Sequence, residues 1–482
     1  MTGRVLAVLA SVVLVLSLTA PASAQRIFEQ EAYEIAREAY IYAYPLVLMH
    51  VSFQQFTNYA EPTGIVTQAP YNQFSHAKAF PPADFKTVVR PNVDTLYSSA
   101  NLDLGPEPMV LSVPASGRYF MLPLLSLWTD VFAVPGTRTT GPNTARDFLL
   151  VGPKWRGKVP SGLEVIRSPT RFVGIGGRTQ TNGVADYKNV HKTQAGYRLT
   201  PLSAWGKGNY VPPKGKVDPA IDMKTPPPVQ IEKIDAATYF ARFAAVLKDN
   251  PPGPFDYPMI HRLERVGFKQ GQRFDLNAAP STIKLAFERA ITDGKATVAK
   301  AAKQASGEGE KGWVYTTRSG AYGVDYSYRA AIALCCLGEN LPQDAVYPSL
   351  STDSEGRPLD GNSRYVLHFA KGRFPPVDAF WSVTAHDTDG YFIPNALKRL
   401  ALGDRDKLVT NADGSLDVFI QPTRRAPTRK GTGCRWPRRR SPCSCASIRR
   451  RPQSSMAPGA AGGEAGGVSQ AANLRRNTAN AS

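Results

Sequence analysis

After Gln421 the sequence loses the patterns from which a core is built. Up to that point apolar residues recur either at alternate positions or at helical spacing. Beyond it the chain runs in Arg, Pro, Ser, Gly and Ala with neither period. Composition alone reads 422–482 as a disordered basic tail. The codons these residues permit give a sharper reading. Shifting the frame at the last base of the Gly431 codon lets Thr432 to Pro437 read on as Asn-Trp-Leu-Pro-Leu-Ala-Pro. Cys443 to Ile448 then permits Leu-Leu-Leu-Arg-Leu-Tyr, and the stretch from Gln453 to Met456 permits a run ending Val-Leu-Asp-Gly. Leu-Arg-Leu-Tyr alternates as a β-strand does, whereas the translated frame has no such pattern. The tail is therefore expected to be frameshifted.

This boundary changes what the charge means. The formal net charge is +19, but thirteen Lys and Arg against the single Glu464 lie after Thr423, and Arg4 is the one charge in the first 24 residues. Six net positive charges spread over the remaining body make no concentrated basic stripe, so no nucleic-acid partner is expected. Three of the five cysteines, Cys434, Cys443 and Cys445, also belong to the tail. Cys335 and Cys336 sit in an apolar run, which reads as buried, separate thiols. The body has no zinc spacing, and no cofactor is evident.

Residues 1–24 read as a secretory signal. Arg4 precedes an apolar run from Val5 to Leu18, and Ala22-Ser23-Ala24 supplies a small-x-small cleavage site. The run is shorter than the roughly 20 residues a membrane span needs. The mature chain is expected to begin at Gln25, to be periplasmic or secreted, and to have no membrane span after cleavage.

Helical spacing of Ala32, Ile35, Ala36, Ala39, Tyr40 and Ala43 predicts a helix from Glu29 to Tyr44, ended by Pro45. Short β-rich runs follow, at Met109–Val113, Tyr119–Leu125, Phe148–Val151 and Arg171–Ile175. Residues 206–229 form a Gly/Pro/Lys-rich break. Helices are expected over Ala236–Lys248 with Asp235 as the cap, over Asp256–Val266 and over Ser281–Lys303, packing against sheets. Strand signals return at Tyr365–Phe369, Ala379–Val383 and Asp417–Gln421, with Asp-Gly turns between them. The expected fold is mainly β: two β-sandwich or jelly-roll-like domains with helical segments before and between them. The expected order is an N-terminal β domain over 25–205 with a leading helix, a linker and helical segment over 206–325, and a C-terminal β domain over 326–421.

Tyr40-Ile-Tyr-Ala-Tyr-Pro45, Pro91-Asn-Val-Asp-Thr-Leu-Tyr97 and Pro135-Gly-Thr-Arg-Thr-Thr-Gly141 resemble the bacterial domain of unknown function 1254. Asp360-Gly361, Pro375-Pro376 and Phe380-Trp-Ser-Val-Thr384 resemble its usual partner, domain of unknown function 1214. The resemblance covers most of residues 28–421. It implies an all-β pair of domains with jelly-roll character and helical decoration, and no established reaction. It also implies a final strand like Leu-Arg-Leu-Tyr followed by Leu-Asp-Gly, the pattern that the shifted frame restores. One departure is His386, where the family more often carries an aromatic residue.

Candidate binding residues come from three places. Asn92, Asp94 and Tyr97 group an amide, a carboxylate and a phenol on a loop before a strand, where ligand contacts commonly sit; an Asx-turn explains the first two as well. Arg118, Trp128 and Asp130 offer a cation, a ring and an acid; Arg118 and Asp130 can equally pair with each other or with solvent. Trp381, His386 and Tyr391 would line a polar aromatic pocket, although His386 and Asp387 point to opposite faces of a strand. A metal held by His368 and His386 would need their strands to pair in register, and none is expected. Phosphate loops, nucleophile elbows and His-Glu-x-x-His are absent from the sequence. Three roles stay open: an envelope enzyme acting on a small organic substrate, a small-molecule or glycan binding protein, or a structural protein of the envelope.

Overall fold

The computed structural model describes residues 27–86, 89–305, 307, 312–422, 432–435, 443–446 and 472–476. The expected signal segment lies outside these residues. So does most of the expected basic tail, of which three short strands are described, Thr432–Arg435, Cys443–Ala446 and Ala472–Arg476. Among the described residues, no helix is long and apolar enough to cross a membrane.

The architecture is mixed α/β rather than mainly β, because the helices make a core of their own. Glu29–Thr57, Ala236–Leu247, Tyr257–Glu264, Ser281–Gln304 and Tyr326–Cys336 contribute Tyr40, Phe243, Leu263, Phe287 and Ala333 to one buried cluster. They pack chiefly on one another, where sequence spacing had suggested packing on sheets. The first helix also runs straight through Pro45 to Thr57. Proline inside a helix costs about 3 kcal/mol. Beyond it Leu46, Val47, Leu48, Val51 and Phe53 are all buried, and each such burial contributes about 1.5–3 kcal/mol. Burial wins. Asp235 caps its helix as its position predicts, its side chain accepting from the Thr238 N–H at 2.7 Å. Cys335 and Cys336 are joined as a vicinal disulfide instead of standing as separate thiols.

Among the described residues, four sheets carry the rest. The first runs Phe74–His76, Thr95–Asp103, Phe172–Gln180, Leu124–Ser126, Val131–Ala133, with Phe120–Met121 also on the Phe172–Gln180 strand. The second runs Arg198–Pro201, Met109–Val113, Arg146–Val151, Glu164–Arg167. Leu102, Val173 and Ile175 from the first meet Met109, Leu111 and Phe148 from the second in one apolar cluster. The third sheet is built on Ser349–Leu350, Ser382–Ala385 and Ala401–Gly403, the fourth on Tyr365–Phe369 and Leu416–Gln421. They share a cluster in which Leu350 and Val383 meet Leu367 and Val418. The expected C-terminal β region from 326 instead opens with the helix Tyr326–Cys336, which joins the helical core, and its two sheets also take in Trp313–Val314 and the three strands beyond Gln421.

Candidate functional site

The strand Phe172–Gln180 places the central side chain of the site. Strand residues alternate between faces, so Val173 and Ile175 enter the core between the first two sheets. Gly174, Gly176 and Arg178 therefore occupy the other face. Gly177 points to the core side, where a Cβ would lie 2.6 Å from the Ser98 carbonyl oxygen and 2.5 Å from Leu122, so only hydrogen fits there. Register sets Arg178 between Tyr97 on one neighbouring strand and Met121 on the other.

Arg178 has neutral company. Its Nη1 donates to the Tyr347 hydroxyl at 2.8 Å. In the orientation that satisfies both ends of its amide, the Asn340 oxygen accepts from both guanidinium nitrogens at 3.2 Å. The rings of Tyr97 and Tyr347 lie 5.4 and 5.8 Å from the guanidinium carbon. Among the described residues, no carboxylate comes within 4.0 Å of its nitrogens. Glu339, one residue before Asn340, feels the Arg178 charge at longer range. Burial, the larger effect, raises its carboxyl despite Ser319 and Arg178, and its Oε2 has no hydrogen-bond partner among the described residues.

The Asn92 loop closes one side. The Asn92 Oδ1 accepts from the backbone N–H groups of Asp94 and Thr95, both at 3.0 Å, which is the Asx-turn geometry. Its Nδ2 donates to the Tyr97 hydroxyl at 2.6 Å. Burial raises the Tyr97 pKa, so it stays a phenol. Asp94 faces the other half of the chain. Its Oδ2 accepts from Ser382 Oγ at 2.7 Å, and its Oδ1 accepts from Arg405 Nη2. Arg405 further donates to the backbone carbonyls of Asp94 and Thr181 at 3.2 and 3.0 Å, with its guanidinium carbon 4.5 Å from the Phe380 ring centroid. The Arg90 N–H also donates to the Gly390 carbonyl at 2.7 Å.

Between these groups lies a cavity walled by Asn92, Thr95, Met121 and Arg178 on one side and Ala345 and Phe380 on the other, with about 10 Å³ of interior volume. That is room for one water. Asp344, also in the wall, is tied to Arg138 by two bonds of 2.7 Å.

Of the residues the sequence suggested, only Asn92, Asp94 and Tyr97 gather here. Arg118 and Asp130 do not pair. Arg118 binds Asp186 at 2.6 and 3.2 Å, which holds the Asp186 carboxyl down at about 2. Asp130 and Trp128 belong to a second buried cluster. There Arg329, 3 % exposed, sits 3.6 Å from Asp130 and 3.8 Å from Asp256. The Tyr42, Trp128 and Tyr326 rings lie 5.2–5.5 Å from its guanidinium carbon. Trp381 packs 5.4 Å from Phe369 inside the second β core. His386 is buried and stacks on Phe392 at 5.5 Å, its Nε2 3.4 Å from the Pro91 carbonyl, while Tyr391 lies under Lys86 at 4.0 Å. These three do not form one pocket. His368 pairs with Asp417 at 2.7 Å, and no cluster of three or more His, Cys, Asp or Glu that could hold a metal occurs among the described residues. Sequence reading missed Arg178, Asn340, Tyr347, Ser382 and Arg405. The one signal was a charged residue inside the glycine-rich stretch Gly174-Ile-Gly-Gly-Arg178.

Two family models match the chain in order. "Protein of unknown function (DUF1254)" covers residues 71–201 and "Protein of unknown function (DUF1214)" covers 344–436. Asn92, Tyr97 and Arg178 fall in the first match, and Tyr347, Phe380, Ser382 and Arg405 in the second. No curated protein matches the chain. Among solved structures, the VPA0106 protein from Vibrio parahaemolyticus superposes with a TM-score of 0.67 at 20% identity, covering 92% of this chain and 100% of that one. That likeness is one of fold. A putative uncharacterized protein from Burkholderia cenocepacia reaches a TM-score of 0.41 at 12% identity, covering 93% of this chain and 94% of that one.

Proposed function

From a chain that carries DUF1254 followed by DUF1214, both of unknown function, we propose an exported, envelope-located protein that binds a small organic molecule at the seam between the two domains. The observation that carries this reading is the convergence of Asn92, Thr95 and Arg178 with Met121, Ala345 and Phe380 on one cavity walled from both sides. A few placed polar groups on an apolar lining is the usual make-up of a ligand site, and domain seams are where such sites form. The cavity as it stands admits one water, so ligand entry requires the seam to part. Binding is favoured over catalysis because Asp344, the carboxylate in the wall, is already held by Arg138. A structural role in the envelope would leave the Arg178 cluster without a purpose.

The test is a thermal-shift screen of the whole chain against a panel of small metabolites. The reading requires a compound that raises the melting temperature and loses its effect in Ala345→Leu, which fills the cavity. Turnover of that compound would move the assignment from binding protein to enzyme. A panel with no stabilising compound would sink the reading.

A further inference from the structure

The class of ligand follows from what Arg178 lacks, an argument that rests on the seam being a binding site. A guanidinium is charged at every physiological pH and presents its donors as a planar fork. Its partners here are a phenol, a carboxamide and two ring faces, all neutral. Arg178 is half-buried at the seam, and a charge partly withdrawn from water is costly unless it is paired. The neighbouring acids are not available to pair with it. Asp94 is committed to Arg405 and Ser382, and Asp344 to Arg138. Glu339 feels the Arg178 charge only at longer range, with no oxygen within 4.0 Å of the guanidinium nitrogens.

We propose that the seam takes a small monocarboxylate with an apolar body, its carboxylate on the Nε and Nη2 hydrogens of Arg178 that Asn340 and Tyr347 leave free, and its body against Met121, Ala345 and Phe380. A carboxylate matches the guanidinium in shape and can accept two parallel N–H bonds from it. Tyr97, beside the cavity rather than in its wall, accepts from Asn92, and its own hydrogen has no acceptor among the described residues. One negative charge balances one cation. A phosphate dianion would bring a second charge, and no second unpaired cation stands in the cavity wall. An uncharged amide of the same shape would leave Arg178 as uncompensated as before.

The test compares butyrate and benzoate with butyramide, benzamide and inorganic phosphate by thermal shift on the unaltered chain. Near saturation the acids are expected to raise the melting temperature by about 2 °C, and the amides and phosphate to leave it unchanged. Arg178→Gln should weaken acid binding by at least about tenfold. Arg178→Lys, which keeps the charge and loses the fork, should fall between the two. Amides that stabilise as well as the acids, a larger shift with phosphate, or an undiminished acid shift in Arg178→Gln would each overturn the carboxylate assignment while leaving the seam as a binding site. If no compound stabilises the chain, the binding site at the seam falls with it. The acid–amide comparison needs no variant, so it stands even if Arg178→Gln does not fold.

Discussion

Ser382 donates its hydroxyl hydrogen to the Asp94 carboxylate at 2.7 Å, across 288 residues of chain. With Arg405 on the other carboxylate oxygen, this contact ties the DUF1254-matching part to the DUF1214-matching part directly beside the Arg178 cavity. On the proposed reading, these contacts hold shut the seam that a ligand would enter.

Removing that tie should be costly. Asp94 has a side chain only 4% exposed, and taking away one partner of a buried ion pair leaves the other uncompensated. Asp94→Ala is expected to lose about 3 kcal/mol of stability by urea unfolding. A loss below about 1 kcal/mol, the range of an exposed pair, would show that the seam does not depend on it.

The helix cap at Asp235 gives a smaller and cleaner effect. The Thr238 N–H it accepts from would be left without that partner in Asp235→Ala. The expected cost is about 1 kcal/mol, read as a lower urea midpoint with an unchanged slope. An unchanged midpoint would mean that water caps the helix equally well.

Acid should destabilise the fold through buried histidines. Burial foremost holds His50, His76 and His386 down at about 4, against an ordinary 6.5. Their folded values are depressed, so below 6.5 the unfolded chain binds protons that the folded chain refuses. Stability is full above that value and declines as the pH falls toward about 4, by up to about 1.4 kcal/mol per pH unit for each histidine. His386→Gln should flatten the decline by roughly a third of the histidine contribution. The same slope in the variant and the parent would remove His386 from the account.

The expected shift of frame at Gly431 makes a prediction of its own. The Cys443–Ala446 strand lies between Ser349–Leu350 and Ser382–Ala385, an interior position in the third sheet. The codons these residues permit would place leucines there in the shifted frame. Replacing residues 432–482 with the shifted product should stabilise the chain by at least about 2 kcal/mol, the burial of one leucine side chain. Equal unfolding midpoints for the two chains would contradict the frameshift as the origin of the tail.

Local features were readable from the sequence because local physics decides them. Met109–Val113 and Tyr365–Phe369 fall where alternation puts them, and Gly390 and Gly414 take the positive φ expected of Asp-Gly turns, whereas Gly361 does not. The Asn92 turn is likewise made within four residues. What could not be read depends on distant partners. The apolar run Ala330–Leu337 carries no period that separates helix from strand, and the structure makes it mostly helix because Ala330 and Ala333 pack into the helical core. Pro45 looks like a terminus until the buried residues beyond it are counted. Arg178 meets Tyr347 across 169 residues, and neither is conspicuous alone.

The most direct measurement is a crystal structure of the chain grown with saturating benzoate. The account predicts a carboxylate on the Arg178 guanidinium, the ring beside Phe380, and a longer separation between Asp94 and Ser382. A closed seam with only water beside Arg178, or benzoate bound elsewhere, would contradict it.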